Sequence, residues 1–138
     1  MRAPAPFALL AVVALAACGG GSKGSVGGTL PSCASAGAAV QLPTELADFP
    51  LPKGGVLDKT RKDAAGNTIY AGVVPGDVAP MRDFYKAELP KHGYTLGKGD
   101  SESEEAEADF TGHGADGHFK LRDISGCHGA LTLEVALR

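Results

Sequence analysis

Along most of this chain the alternation of apolar and polar positions identifies one element after another. Val56–Lys62 and residues 68–74 read as two strands, separated by the turn-forming run Asp63-Ala64-Ala65-Gly66-Asn67. Ile69, Ala71 and Val73 share one face of the second strand. Pro75-Gly76 breaks that strand, and Asp77 stands where a helix N-cap belongs. Val78, Met81, Tyr85 and Leu89 then recur at helical spacing, a single apolar stripe that Phe84 widens. Pro80 falls in the first turn, where it is tolerated, and Pro90 and Gly93 close the helix. Residues 94–98 form a short strand, and the acidic run Gly99-Asp100-Ser101-Glu102-Ser103-Glu104-Glu105 reads as a solvated loop.

A hairpin follows. Residues 105–113 alternate, with Ala106, Ala108 and Phe110 on one face, and residues 118–123 alternate with Phe119 and Leu121 on one face. Taking Gly114-Ala115-Asp116-Gly117 as the turn pairs His113 with His118. That register sets Phe110 opposite Leu121 inside, and Thr111 opposite Lys120 and Asp109 opposite Arg122 outside. The last strand, residues 130–138, turns Leu131, Leu133, Val135 and Leu137 inward and Thr132, Glu134 and Arg138 outward. Short connections imply an antiparallel sheet. The expected fold is α+β, a two-layer sandwich in the order ββαββββ over residues 53–138, with the helix covering one face of the sheet. Residues 30–52 are an irregular lead-in, interrupted by Pro31, Pro43, Pro50 and Pro52, whose Leu42, Leu46, Phe49 and Leu51 lay apolar side chains over the domain. No internal repeat is visible.

The N-terminus has a different character. Arg2 and the amine supply a short positive region, and residues 7–17 are an unbroken apolar run of eleven. A bilayer-spanning helix needs roughly 20 apolar residues, so this run is too short for a permanent span. It ends in Leu15-Ala16-Ala17-Cys18, which resembles the lipobox of bacterial lipoproteins. The resemblance implies a signal peptide over residues 1–17, diacylglyceryl transfer to the Cys18 thiol, cleavage after Ala17 and acylation of the new amino terminus. It also implies a lipid-anchored protein of the cell membrane or outer membrane, on the extracytoplasmic side. Residues 18–29, rich in glycine and serine, are expected to be a flexible tether with a root-mean-square reach of roughly 20 Å.

Charge and cysteine count narrow the function. Without residues 1–17 the chain keeps 121 residues, one domain's worth, with 12 basic against 16 acidic side chains and a net charge of −4. With no basic patch, nucleic acid is not an expected partner. Cys18 is assigned to lipid, which leaves Cys33 and Cys127. In an oxidising compartment an even count reads as a disulfide, and a bridge closing so long a loop contributes roughly 4–5 kcal/mol on the chain-entropy account.

Chemistry is thin. His113 and His118, side by side in the expected register with Asp116 in the turn and Asp109 along the same face, have the ligand types for zinc or copper, although a structural zinc site usually takes four ligands. Ser125-Gly126-Cys127-His128 contains the residue types of a hydrolase, but lacks a Gly-x-Ser-x-Gly context, and a disulfide would consume the thiol. The acidic run lacks the spaced Asp and Gly of a calcium loop. A carboxylate at Asp77 opposes anion binding where the helix begins.

Pro50-Leu51-Pro52-Lys53-Gly54-Gly55, a hairpin, and then residues 81–94 around Phe84-Tyr85, Leu89 and Gly93-Tyr94 are similar to small extracytoplasmic domains of bacterial lipoproteins. The similarity covers residues 50–98, implies the fold and the envelope setting, and carries no catalytic residue. The expected function is therefore a membrane-anchored, non-catalytic binding or structural module without a cofactor, which meets an envelope protein or cell-wall component through its sheet or hairpin tip. A metal-binding lipoprotein using His113 and His118, and a cryptic hydrolase, are the alternatives.

Overall fold

The computed structural model describes residues 24–138. The expected signal peptide, Cys18 and the first part of the tether lie outside the described residues. After one turn of 3-10 helix at Thr44–Leu46 come β1 (Val56–Lys62), β2 (Thr68–Pro75), α1 (Val78–Lys91), β3 (Tyr94–Ser101), β4 (Glu105–Gly112), β5 (Ala115–Ile124) and β6 (Cys127–Leu137). The six strands form one antiparallel sheet in the order β1-β2-β6-β5-β4-β3. The last strand in sequence is thus interior to the sheet, and its apolar positions Leu131, Leu133 and Val135 are fully buried.

One hydrophobic cluster unites the helix and one face of the sheet. Met81, Tyr85 and Leu89 of α1 are buried with Phe110 of β4, Phe119 and Leu121 of β5 and the β6 residues. The lead-in does more than drape over this core. Leu46 is fully buried, and the Phe49 ring lies 5.5 Å from Tyr85, 5.9 Å from Tyr94 and 5.5 Å from Phe110. Such aromatic pairs contribute about 0.5–1.5 kcal/mol each beyond the area they bury. The core therefore crosses the expected boundary at residue 53.

On β2, Ile69, Ala71 and Val73 share the outer face, while Tyr70, Gly72 and Val74 pair with Val135, Leu133 and Leu131 and turn toward the core. Three local expectations are corrected. Strand β3 continues through Gly99, Asp100 and Ser101, which pair with Ala108, Glu107 and Ala106 after a bulge, so the acidic loop shrinks to residues 102–104. The β4–β5 register is displaced by four residues: Asp109 faces His118, Glu107 faces Lys120 and Glu105 faces Arg122. The turn is the two-residue His113-Gly114, with φ of 52° and 80°, the positive pair that a type I′ hairpin requires and that matches strand twist. Gly117 then lies under the Phe110 ring, where a side chain would collide.

The third correction concerns the tether. From Ser25 onward it is docked. Ser25 N–H donates to Asp77 Oδ2 (2.8 Å), Val26 bridges Gly76, Gly27 N–H donates to the Pro75 carbonyl (2.8 Å) and Gly28 N–H to that of Lys53 (2.9 Å). Asp77 does occupy the N-cap position of α1, but its carboxylate holds this strap instead of capping the helix.

Two buried tyrosines make a test. The Tyr94 hydroxyl donates to the Glu45 carbonyl (2.8 Å), whereas the Tyr85 hydroxyl is buried without a partner. Tyr94→Phe is expected to lose about 0.5–1.5 kcal/mol and Tyr85→Phe to lose nothing or gain, because it removes an unsatisfied polar group. Urea unfolding of both variants checks this, and a larger loss in Tyr85→Phe than in Tyr94→Phe counts against it. Burial, and then the Asp48 carboxylate, push Tyr94 up to about 12, and burial pushes Tyr85 up as well. Unfolded tyrosines ionise near 10.0, so the unfolded state sheds protons first and stability falls as pH rises from 10 toward 12. In a Tyr70→Phe background, which leaves only the two buried tyrosines, alkaline denaturation should coincide with the tyrosinate absorbance change; tyrosinate appearing well before unfolding would contradict the burial.

Candidate functional site

The Cys33 and Cys127 sulfurs are at bonding distance, with Cα atoms 5.6 Å apart across 94 positions of sequence. The bridge ties the lead-in to the first residue of β6. Further along, Val40 N–H donates to the Leu57 carbonyl and Gly37 N–H to the Asp58 carboxylate, so the lead-in is also held along edge strand β1.

The histidines do not converge. His113 lies in the β4–β5 turn, its ring 4.7 Å from that of Tyr94, and Nε2 is 2.8 Å from the His92 carbonyl. A carbonyl only accepts, so Nε2 carries the proton and is not a free metal ligand. His118 lies on the outer face of β5, with Nδ1 2.9 Å from Asp109 and Nε2 3.5 Å from Glu107. The expected His113–His118 pair is therefore corrected: the displaced register gives His118 a carboxylate neighbour instead, and Asp116 faces Thr111. Among the described residues no group of three or more His, Cys, Asp or Glu side chains could hold a metal ion.

His118 belongs to a ladder of ion pairs across the outer face. Lys120 Nζ is 2.8 Å from Glu105 and 3.2 Å from Glu107, Arg138 is 3.1 Å from Asp109, and Arg61 reaches over the small Ala71 to Glu134 at 2.8 Å. Hydrogen bonding from His118, with Arg138 nearby, holds the Asp109 carboxyl below its ordinary range, and Lys120 and Arg122 do the same for Glu105. With acids and bases matched on neighbouring strands, this face has little charge left to attract a partner.

The recess with an apolar floor lies on the other side of the sheet. Between α1 and the ends of β3 and β4 is a cleft of about 290 Å³, floored by Phe119, Ala106, Ala108 and Leu96. It exists because the inward positions Ala106 and Ala108 and the β3 glycines Gly97 and Gly99 are small where Phe110 further along is large. Arg82 and Lys86, one turn apart on α1, overhang it, and Asp100 and Ser101 line the opposite rim. Arg82 is steadied by Asp83 at 3.0 Å and by the Ser101 hydroxyl at 3.2 Å, while Lys86 is exposed. Such a recess accepts a short apolar group with a polar end. The only sequence signal for it was the run of small residues at inward positions.

The hydrolase set is not assembled. Ser125, Cys127 and His128 lie at the β5–β6 turn, Cys127 is paired with Cys33, and among the described residues no hydrogen bond joins Ser125 to His128.

Titration calorimetry with zinc and copper should give no submicromolar, one-to-one binding. His118→Ala should cost less than about 1 kcal/mol, because its ion pairs are partly exposed. Tight binding abolished by both His113→Ala and His118→Ala would reinstate the metal site.

Among the described residues no helix is long and apolar enough to cross a membrane. No family model matches this chain, and neither a curated protein nor a solved structure shows significant similarity to it.

Proposed function

We propose that this chain is an exported lipoprotein, cleaved before Cys18 and acylated on it, whose mature domain is a non-catalytic binding or structural module of the cell envelope. Leu15-Ala16-Ala17-Cys18 after an apolar run supports export and lipidation. The observation that carries the extracytoplasmic setting is the pairing of Cys33 with Cys127, a bond that persists in oxidising compartments and is rare in the cytosol. The architecture is read as a two-layer α+β sandwich in the order ββαββββ, with α1 against one face and the charged ladder on the other.

The cleft beside α1 supports binding better than the hairpin tip does, because His113 is packed down on Tyr94 and the outer face is neutralised by its own ion pairs. An envelope protein or a cell-wall component fits that setting, and nucleic acid does not suit a net charge of −4. Neither the metal-binding nor the hydrolase reading has an observation in its favour.

The test is Cys18→Ser. The variant should leave the membrane fraction and lose the added mass of the acyl chains, while the folded domain keeps its disulfide. Retention in the membrane with unchanged electrophoretic mobility would defeat the proposal.

A further inference from the structure

We infer that the docked strap fixes how the domain stands on its membrane, with the α1 N-terminal end toward the bilayer and the β1–β2 and β4–β5 turns away from it. The inference rests on the lipid anchor at Cys18. A fully flexible tether would let the domain tumble, but the attachment point is not free. Ser25 is held by the Asp77 carboxylate (2.8 Å), and Asp77 N–H donates back to the Ser25 carbonyl (2.9 Å). The Val26–Gly76 bridge and the Gly27 and Gly28 hydrogen bonds continue the contact for three more residues.

The surface is shaped for it. A Cβ on Gly76 would sit 2.6 Å from the Ser25 carbonyl oxygen, and one on Gly24 would sit 2.8 Å from Pro80 Cγ. The chain thus leaves the domain beside the first turn of α1, and only residues 19–23 separate Gly24 from Cys18. Fully extended, that stretch spans roughly 20 Å.

Antiparallel topology then sorts the molecule into two ends. The end of β2 at Pro75, the start of α1 and the β5–β6 turn lie at the strap end; the β1–β2 turn and His113-Gly114 lie at the other, about 25 Å away along the strands. Asp77, Glu104 and Asp123 gather at the strap end, where burial together with the Glu104 and Asp77 charges raises the Asp123 carboxyl.

The chain has no tryptophan, which permits a clean measurement. Exposed Ser125, at the strap end, and exposed Ala65, at the far end, are each replaced by Trp in the full lipidated protein, and energy transfer to a dansyl-headgroup lipid is read in phosphatidylcholine vesicles. Transfer from Ser125→Trp should exceed that from Ala65→Trp by at least about twofold, given the strand length between them. Inserting a long Gly/Ser linker after Lys23 should bring the two toward equality. Equal transfer without the linker, in protein that sediments with the vesicles, overturns the fixed stance and leaves the anchor standing. Protein that does not sediment overturns the anchor, and the stance with it. Independently of lipid, the Gly27 amide of the Cys18→Ser protein should be protected from hydrogen exchange, and exchange at the rate of an open chain would overturn the strap.

Discussion

The two halves of the sheet meet only along β6. On one side β2 pairs with it from Ile69–Ala136 to Pro75–Ala130, and on the other β5 pairs with it from Gly117–Leu137 to Ile124–Cys127. Without this strand, β1–β2 would be an isolated hairpin, marginal in water, and β3–β4–β5 a meander with an unsatisfied edge. Burial of Leu131, Leu133 and Val135 in the one cluster that also holds Leu46, Phe49 and the α1 stripe therefore ties the lead-in, the hairpin and the meander together. Because β6 follows every other strand in sequence, the sheet cannot close until β6 is made, and its contacts with β2 are distant in sequence, the kind that slow folding. The Cys33–Cys127 bond starts at the first residue of this strand, so it restrains the unfolded chain where loop closure costs most, by roughly 4–5 kcal/mol on the chain-entropy account.

The two faces of the sheet solve different problems. The inner face carries the core and recruits Leu46 and Phe49 from a segment with almost no regular structure, so proline-rich sequence becomes part of the fold by burying side chains. The outer face has no covering layer among the described residues. It stays polar through the Lys120–Glu105 and Lys120–Glu107 rungs within the β4–β5 hairpin and the Arg61–Glu134 and Arg138–Asp109 rungs, each of which spans an intervening strand. Each pair is worth little at such exposure, and their combined effect is to keep the face polar and close to neutral. The cleft beside α1 opens where the inward residues become small, at Ala106 and Ala108.

Period-two and helical spacing made most elements legible in the sequence: the α1 stripe, the β6 alternation and both strands of the central hairpin lie close to where the pattern puts them. The cysteine pairing was legible from parity and setting. The hairpin register was not, for a definite reason. A displacement of four residues keeps every side chain on its own face, so Phe110 and Leu121 stay inside and acids still meet bases outside. Apolar pattern and charge pairing cannot separate the two registers; turn chemistry does. A left-handed conformation is uncommon for residues other than Gly, Asn or Asp, so His113-Gly114 carries no strong type I′ signal in sequence, whereas the glycines at 114 and 117 bracket a longer turn. The His113–His118 pairing behind the metal reading goes with that register.

Glycine explains the other main miss. In a sequence, Gly-Gly-Gly-Ser followed by more glycine signals a flexible linker, because glycine loses the most freedom on ordering. Here the described glycines, from Gly24 onward, have a second use. Gly24 and Gly28 take positive φ, and Gly76 gives up its side-chain space to the Ser25 carbonyl, so two backbones approach as closely as paired strands. The cost of ordering them is offset by Asp77, whose carboxylate and amide both bind Ser25. Composition describes what a segment does when nothing touches it. Whether something touches it depends on a partner surface more than fifty residues away, and no local window contains that information.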